Sequence, residues 1–263
     1  MARVNLFVLG GFMVRSASAD PIFLPTRKSQ GLLAYLALGP GHVHAREKLA
    51  TLLWSDSAEA QARQSLRQAL FDIRKAFARI RPEILRSNGD GVAVNSAAVE
   101  VDAVRFETLA AEGAPRALAK AVSLCEGYLL EGLRIKEEPW EEWLRAERAR
   151  LHELRVEVLT RLLTHQTEAG ATQAAIQTAG RLLALDPLHE AVHRRLMRLY
   201  LRQGRRAAAL RQYQVCCQAL ERDLGVEPEA ETRNFVVRYF PERVHRRAHV
   251  SLQPDIDSVA RRR

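Results

Sequence analysis

Residues 59–81 read EAQARQSLRQALFDIRKAFARIR. At about 100° per residue this segment separates into two stripes. Ala62, Leu66, Ala69, Leu70, Ile73 and Phe77 form an apolar one. Arg63, Arg67 and Arg74 line its edge, with Gln64, Gln68 and Lys75 beside them, and the acids Glu59 and Asp72 fall elsewhere on the helix. The spacing predicts a helix whose back lies in a core and whose front offers the guanidinium and amide groups that suit phosphates and base edges. A solvated amphipathic surface helix has the same pattern, so the neighbouring elements must decide between the two.

Upstream, the alternation of Val4, Leu6 and Val8, a Gly10-Gly11 turn and the run Phe12 to Arg15 predict a short antiparallel sheet. The glycine pair reads as a turn because no GxxxxGK follows it. Helical spacing begins after Pro25 with Thr26 as N-cap, carries Leu32, Leu33 and Leu36, and stops at Gly39-Pro40-Gly41. A second short helix is expected over residues 45–54, and Asp56, three residues before Glu59, suggests a capping-box start for the two-faced helix. Downstream, Ile84 to Ser87 and Val92 to Asn95 flank Asn88-Gly89-Asp90-Gly91, whose Asn-Gly and Asp-Gly pairs favour a hairpin turn. Sheet, three helices and hairpin is the order of a winged helix-turn-helix with an N-terminal sheet. There the third helix enters the major groove and the hairpin reaches the flanking backbone. On that arrangement Arg63, Gln64, Arg67, Gln68, Arg74 and Lys75 contact bases or phosphates, with Arg67 or Gln68 nearest the base edges. Arg46 and the wing residue Arg86 are expected at the DNA backbone.

From Val101-Asp102 to about residue 222 the pattern is helical, with Pro139 at a helix start ahead of a stripe containing Trp140, Trp143, Leu151, Leu154, Val158 and Leu162. Glu168-Ala169-Gly170 with Ala174-Ala175 recurs as Arg202-Gln203-Gly204 with Ala208-Ala209, a 34-residue spacing. That is the tetratricopeptide period, in which Gly ends one helix and small residues let the next pack closely. Leu185-Asp186-Pro187 is read as opening the next helix pair. The expected fold is therefore mainly α: a winged helix-turn-helix domain over 1–104, an all-α tetratricopeptide-like domain over 105–232, and a basic tail over 233–263 that is short helical or mostly disordered.

The formal charge of +9 is concentrated at the ends: residues 1–104 carry 13 Lys/Arg against 9 Asp/Glu, residues 105–232 carry 19 against 19, and residues 233–263 carry 8 against 3. A basic first domain suits a polyanion, whose counterions are released on binding. Cys125, Cys216 and Cys217 show no zinc-finger spacing and are read as core or bystander thiols in a reducing compartment. No apolar run has the roughly 18–20 residues of a membrane span, and the start is too short and too alternating for a signal peptide. A cytoplasmic protein is expected.

His189-Glu190-Ala191-Val192-His193 matches HExxH, in which two imidazoles one turn apart hold zinc and the glutamate activates water. Leu196 and Leu199 stand where an extended metalloprotease pattern has its Gly and third His, no third ligand stands out, and the motif falls inside the repeat. His42 and His44 read as loop residues. With no GxSxG, Walker or Rossmann motif, neither catalytic residues, metal nor cofactor are expected, and zinc hydrolysis is a remote third reading.

GGFMVRSASADPIFLPTRKSQGLLAYLALGPGHVHAREKLATLLWSD (10–56) and AQARQSLRQALFDIRKAF (60–77) resemble the DNA-binding domain of the Streptomyces antibiotic regulatory protein (SARP) family. LLALDPLHEAVHRRLMRLYLRQGRRAAALRQYQVCCQALERDLGVEPEAET (182–232) resembles its partner, the bacterial transcriptional activator domain. With LCEGYLLEGL (124–133) and WEEWLRAERARL (140–151) the resemblance spans residue 4 to about 232. It implies a transcriptional activator that binds direct repeats in promoter DNA, as a side-by-side homodimer, and helps RNA polymerase holoenzyme engage. Arg63, Arg67 and Arg74 match positions where that family is basic. Glu190 and His193 match residue types common there, which weakens the zinc reading. The segment after EPEAET departs from the family, since Pro241 interrupts it and it turns basic. A protein-interaction scaffold that uses only the repeat domain is the alternative from a different class. Added salt separates the two, weakening DNA binding steeply and an apolar contact little.

Overall fold

The computed structural model describes residues 4–39, 41–125 and 127–241. Pro40 of the expected helix stop, and the tail beyond residue 241, lie outside the described residues. By its internal contacts the chain divides into two units, Met1–Arg161 and Leu162–Arg263.

The first unit contains β1 (Val4–Phe7), β2 (Met13–Arg15), α1 (Arg27–Leu38), β3 (His44–Ala45), α2 (Arg46–Leu53), α3 (Glu59–Ala76), β4 (Leu85–Asn88), β5 (Gly91–Val94), β6 (Val99–Val101), α4 (Asp102–Glu112), α5 (Pro115–Leu124) and most of α6 (Glu138–Glu168). β1 pairs antiparallel with β2, Leu6 opposite Val14, and parallel with β6, Leu6 opposite Val101. The antiparallel pair is the expected one. β6 is too short, at three residues, for its period to be seen in sequence. Asp102 ties α4 to this sheet: its carboxylate accepts the backbone N–H groups of Val8 at 2.9 and 3.0 Å, Leu9 at 3.0 Å and Ala103 at 2.7 Å.

α1 begins as expected, with Thr26 Oγ1 accepting the Ser29 N–H at 3.0 Å and Ser29 Oγ accepting the Thr26 N–H at 3.2 Å, a reciprocal cap. Its interior Gly31 is required by close approach, because a Cβ there would lie 2.5 Å from Ile135 Cδ1 and 3.1 Å from the Trp140 ring. Between α5 and α6, residues 127–137 are mostly irregular rather than helical. Glu137, just before α6, is buried and accepts hydrogen bonds from Lys28 Nζ at 2.7 Å, Ser55 N at 2.7 Å and Ser55 Oγ at 2.6 Å. Burial pushes this carboxyl's pKa up, but the bonds from Lys28 and Ser55 outweigh it, so the group is held below the usual carboxylate range. α1, the end of α2 and the start of α6 are thereby fastened at one point. Beside it Tyr35 stacks edge-on to Trp143 at 4.9 Å, and Trp143 lies 4.8 Å from Trp140.

The second unit contains the end of α6 with α7 (Thr172–Leu185), α8 (Glu190–Arg202), α9 (Arg206–Leu224) and α10 (Ala230–Tyr239). Gly170 and Gly204 close α6 and α8 at φ 70° and 71°, the left-handed conformation that Gly adopts without strain. Ala175 and Ala209 start the following helices fully buried, so the 34-residue spacing is a structural repeat. Gly170 sits inside the α6–α7 pair and Gly204 inside the α8–α9 pair, so the Asp186-Pro187 step, in the turn between α7 and α8, opens the next helix pair as the spacing predicts.

The end of the helical region differs from the sequence reading. That reading closes the domain at 232, whereas α10 continues to Tyr239 and buries Phe235, Val236 and Phe240 against Met197 and Ala209. Pro241 follows the helix instead of interrupting it. Arg194, itself buried, secures α10 by donating to Thr232 Oγ1 at 2.7 Å and pairing with Glu231 at 2.7 Å. Cys125 and Cys216 are buried and Cys217 half-buried, and none of the three forms a disulfide. Burial pushes the Cys125 and Cys216 thiols up to about 11 and about 12, so both are inert near neutral pH.

Candidate nucleic-acid interface

α3 is positioned by its apolar stripe. Ala62, Leu66, Ala69, Leu70, Ile73 and Phe77 are all buried, and removing a Leu or Ile of this kind from water contributes about 1.5–3 kcal/mol. Two boundaries differ from expectation. The N-cap is Ala58, with no side-chain cap, and Asp56 lies in the preceding turn. The helix ends at Ala76 with Phe77 as C-cap, so 78–81 are not helical.

The opposite face carries Arg63, Gln64, Arg67, Gln68, Arg74 and Lys75, all exposed. The acids lie nearer this face than the spacing predicts: Arg63 pairs with Glu59, and Gln68 Nε2 donates to Asp72 Oδ1 at 2.9 Å. Both acids are one helical turn from their partners, a distance at which side chains meet. Such exposed pairs contribute at most about 1 kcal/mol, so a phosphate can displace them. Arg67 donates to Gln64 Oε1 at 2.7 Å. Arg74 reaches off the helix to donate to Ser87 Oγ at 2.7 Å.

Ser87 belongs to the hairpin that follows. β4 and β5 pair antiparallel with Asn88 opposite Gly91, leaving Gly89 and Asp90 as a two-residue turn in which Gly89 takes φ 55°. The wing sheet has a third strand that sequence reasoning missed: β3 pairs with β5, His44 opposite Val92. His44 is therefore a strand residue, stacked 5.0 Å from Tyr35, rather than a loop residue. Two residues give no period, so nothing local announces this strand. Arg46 opens α2 half-buried, and its backbone N–H donates to the Asp90 carbonyl of the wing turn at 2.9 Å. Arg86 is exposed, but alternation along β4 places it on the face opposite Ser87. The structure thus brings α3 and the wing together through Arg74 and Ser87, and not through Arg86. Sequence reasoning also passed over Phe71, which is 57% exposed on the outer face of α3.

The HExxH residues are spent on structure. His189 is the N-cap of α8, outside the helix. His193 Nε2 donates to the Pro187 carbonyl at 2.9 Å and Nδ1 accepts from Gln212 Nε2 at 2.7 Å, so both ring nitrogens are engaged. Glu190 accepts the Glu229 backbone N–H with both oxygens at 3.0 Å. Among the described residues no group of three or more His, Cys, Asp or Glu side chains could hold a metal ion.

Burial pulls the His193 pKa below 6.5, against the upward pull of the Pro187 carbonyl, Glu190 and Asp186 and with that of His189. The unfolded chain takes up a proton as pH falls through about 6.5 while the folded ring resists, so its stability contribution is intact above that pH and is lost below it. Thermal melts from pH 7.5 to 5.5 should show the second unit's midpoint falling, and His193→Gln should flatten the acid limb of that curve. A midpoint that holds steady through this range in the unmodified chain contradicts the assignment.

A family model described as "Bacterial transcriptional activator domain" matches residues 92–236, more than half of the chain. The chain belongs to the bacterial transcriptional activator domain family. Its members are transcriptional regulators, not enzymes, and the SARP resemblance agrees with the relatives it matches. The chain is 30% identical over 213 residues to the regulatory protein AfsR of Streptomyces coelicolor, covering 76% of this chain and 20% of that one. It is 28% identical over 228 residues to the transcriptional regulatory protein MoaR1 of Mycobacterium tuberculosis, covering 80% of this chain and 71% of that one. It spans about a fifth of AfsR's length. The solved structure of Mycobacterium tuberculosis EmbR, in complex with a low-affinity phosphopeptide, shares the fold with a TM-score of 0.71 and 22% identity, over 94% of this chain and 66% of that one. The mainly α architecture behind an N-terminal winged helix-turn-helix is common to both. Among the described residues no helix of this activator-domain chain is long and apolar enough to cross a membrane.

Proposed function

We propose that this activator-domain protein is a sequence-specific, double-stranded DNA-binding activator that acts in the cytoplasm. In this reading α3 enters the major groove, whose width of about 12 Å admits a helix of about 10–12 Å diameter. Arg67 and Gln68 face base edges. Arg63, Gln64, Arg74 and Lys75 share the base and phosphate contacts of the same groove, and Arg46 and Arg86 reach the flanking backbone. Two copies sit side by side on a promoter direct repeat. Residues 1–104 supply the DNA contacts and the helical remainder engages RNA polymerase holoenzyme, with α10 part of that module.

The single observation that carries the reading is the division of α3 into a wholly buried apolar stripe and a wholly exposed Arg/Gln/Lys face, with Arg74 tethered to the wing at Ser87. A helix that only solvated itself would have no need of a hairpin fastened to its charged face.

The test is selection of genomic fragments by the purified chain, followed by titration of the winners at 50 and 200 mM salt. A spaced direct repeat should emerge. With six or more phosphate contacts, affinity should fall by about 10³-fold or more between those salts. Unselective binding would reduce the basic face to a generic polyanion patch. Salt-insensitive capture of a protein would favour the scaffold reading.

A further inference from the structure

Phe71 is 57% exposed, and it stands in the middle of the outward face of α3. At about 100° per residue it falls between Arg67 and Lys75, one turn away on either side, with Gln68 and Arg74 as its i−3 and i+3 neighbours. Three of these four are held by hydrogen bonds: Arg67 by Gln64, Gln68 by Asp72 and Arg74 by Ser87. The ring is thus framed by ordered polar groups and left open in front. It does not serve the core, which α3 meets along its opposite stripe. Nor does it serve the helix, where Phe is a weaker former than Ala, Leu, Lys or Gln.

A phenyl ring cannot hydrogen-bond to a base edge or a phosphate. Its gain on leaving water is the burial of apolar surface. In the major groove the base-pair edge that offers apolar surface is that of thymine, through its C5-methyl group. A helix that delivers Arg67 and Arg74 to the groove delivers Phe71 with them, because all three share one face. We infer that Phe71 is a specificity-determining residue whose ring packs against the C5-methyl of a thymine in each half-site, selecting T·A at that position. The inference rests on the reading of α3 as the groove-entering helix.

The probe is the duplex selected from genomic fragments, resynthesised with deoxyuridine replacing one thymine at a time, which removes the methyl and leaves every hydrogen-bonding edge unchanged. The full chain should bind the duplex about fourfold more weakly when the contacted thymine is replaced, the effect of withdrawing about one buried methyl group. Phe71→Ala should bind thymine and deoxyuridine versions equally, and Phe71→Leu, which keeps an apolar side chain, should retain part of the preference. An exposed position leaves the fold intact in both variants, checked by an unchanged thermal midpoint. Deoxyuridine tolerated at every position by a chain that still selects its site overturns the inference and spares the α3 reading. Phe71→Ala that keeps the thymine preference also overturns it, and if that variant loses capture of a protein the ring is a protein-docking residue instead. Absence of any selected site overturns the α3 reading itself, and the inference with it.

Discussion

Arg67→Ala is expected to weaken binding to the selected site by about 5- to 150-fold, the roughly 1–3 kcal/mol that one bidentate base contact is worth, and to relax the preference at one base pair. The contrast that gives this meaning is Lys75→Ala. As a phosphate contact, Lys75 should lower affinity for selected and scrambled duplexes alike and reduce the salt slope by about 1. Arg67 hydrogen-bonds to Gln64 on its own helix and is exposed, so its truncation should leave the melting midpoint unchanged and loss of binding can be read as loss of contact. Titrations of both variants on both duplexes at two salt concentrations decide the matter. If Arg67→Ala retains both affinity and specificity, α3 is not the reading helix.

Trp140→Ala is expected to be the costliest single truncation in the first unit. Trp140 is fully buried, its ring packs over Gly31 of α1, and Trp143 extends the aromatic contact to Tyr35. Phe or Trp to Ala changes in a core cost about 3–5 kcal/mol, because the hole left behind collapses only partly. Against a typical total of about 5–15 kcal/mol this is a large share. A fall in melting midpoint on the order of 10 °C is expected for a unit of this size. DNA binding should suffer with it, since α1 packs against α3 and the Glu137 link to Lys28 and Ser55 lies beside the same seam. Calorimetry of the variant measures the loss. A shift of under 2 °C would mean that residues 135–143 are an ornament on the winged helix rather than part of its core.

Much of this was legible in sequence because it rests on local rules. The Thr26 cap, the Leu32, Leu33 and Leu36 spacing, the six-residue apolar stripe of α3, the Gly89 turn and the glycines at 170 and 204 each declare themselves through spacing or backbone preference within a few residues. The misreadings have the opposite character. β3 is two residues long and exists because β5 accepts it. β6 is recognisable as a strand because β1 lies parallel to it. α10 looked broken at Pro241, but the burial of Phe235, Val236 and Phe240 sets where it ends. The HExxH match, a remote reading from the string, loses its second imidazole because the Pro187 carbonyl and Gln212 occupy both nitrogens of His193.

The same division runs through the candidate interface. Periodicity by itself determined that the segment read as a helix over 59–81, which the structure ends at Ala76, has an apolar back and a basic front, since 3.6-residue spacing sorts side chains onto faces before any partner exists. It also determined, through the 34-residue recurrence, that stacked helices follow. Tertiary structure alone decided that Arg74 is tied to the wing while Arg86 points away from Ser87, that Glu137 reaches back 109 residues to Lys28, and that the packed helices continue through α10. Those outcomes depend on contacts between segments far apart in the chain, whose energies appear only when the chain has closed on itself.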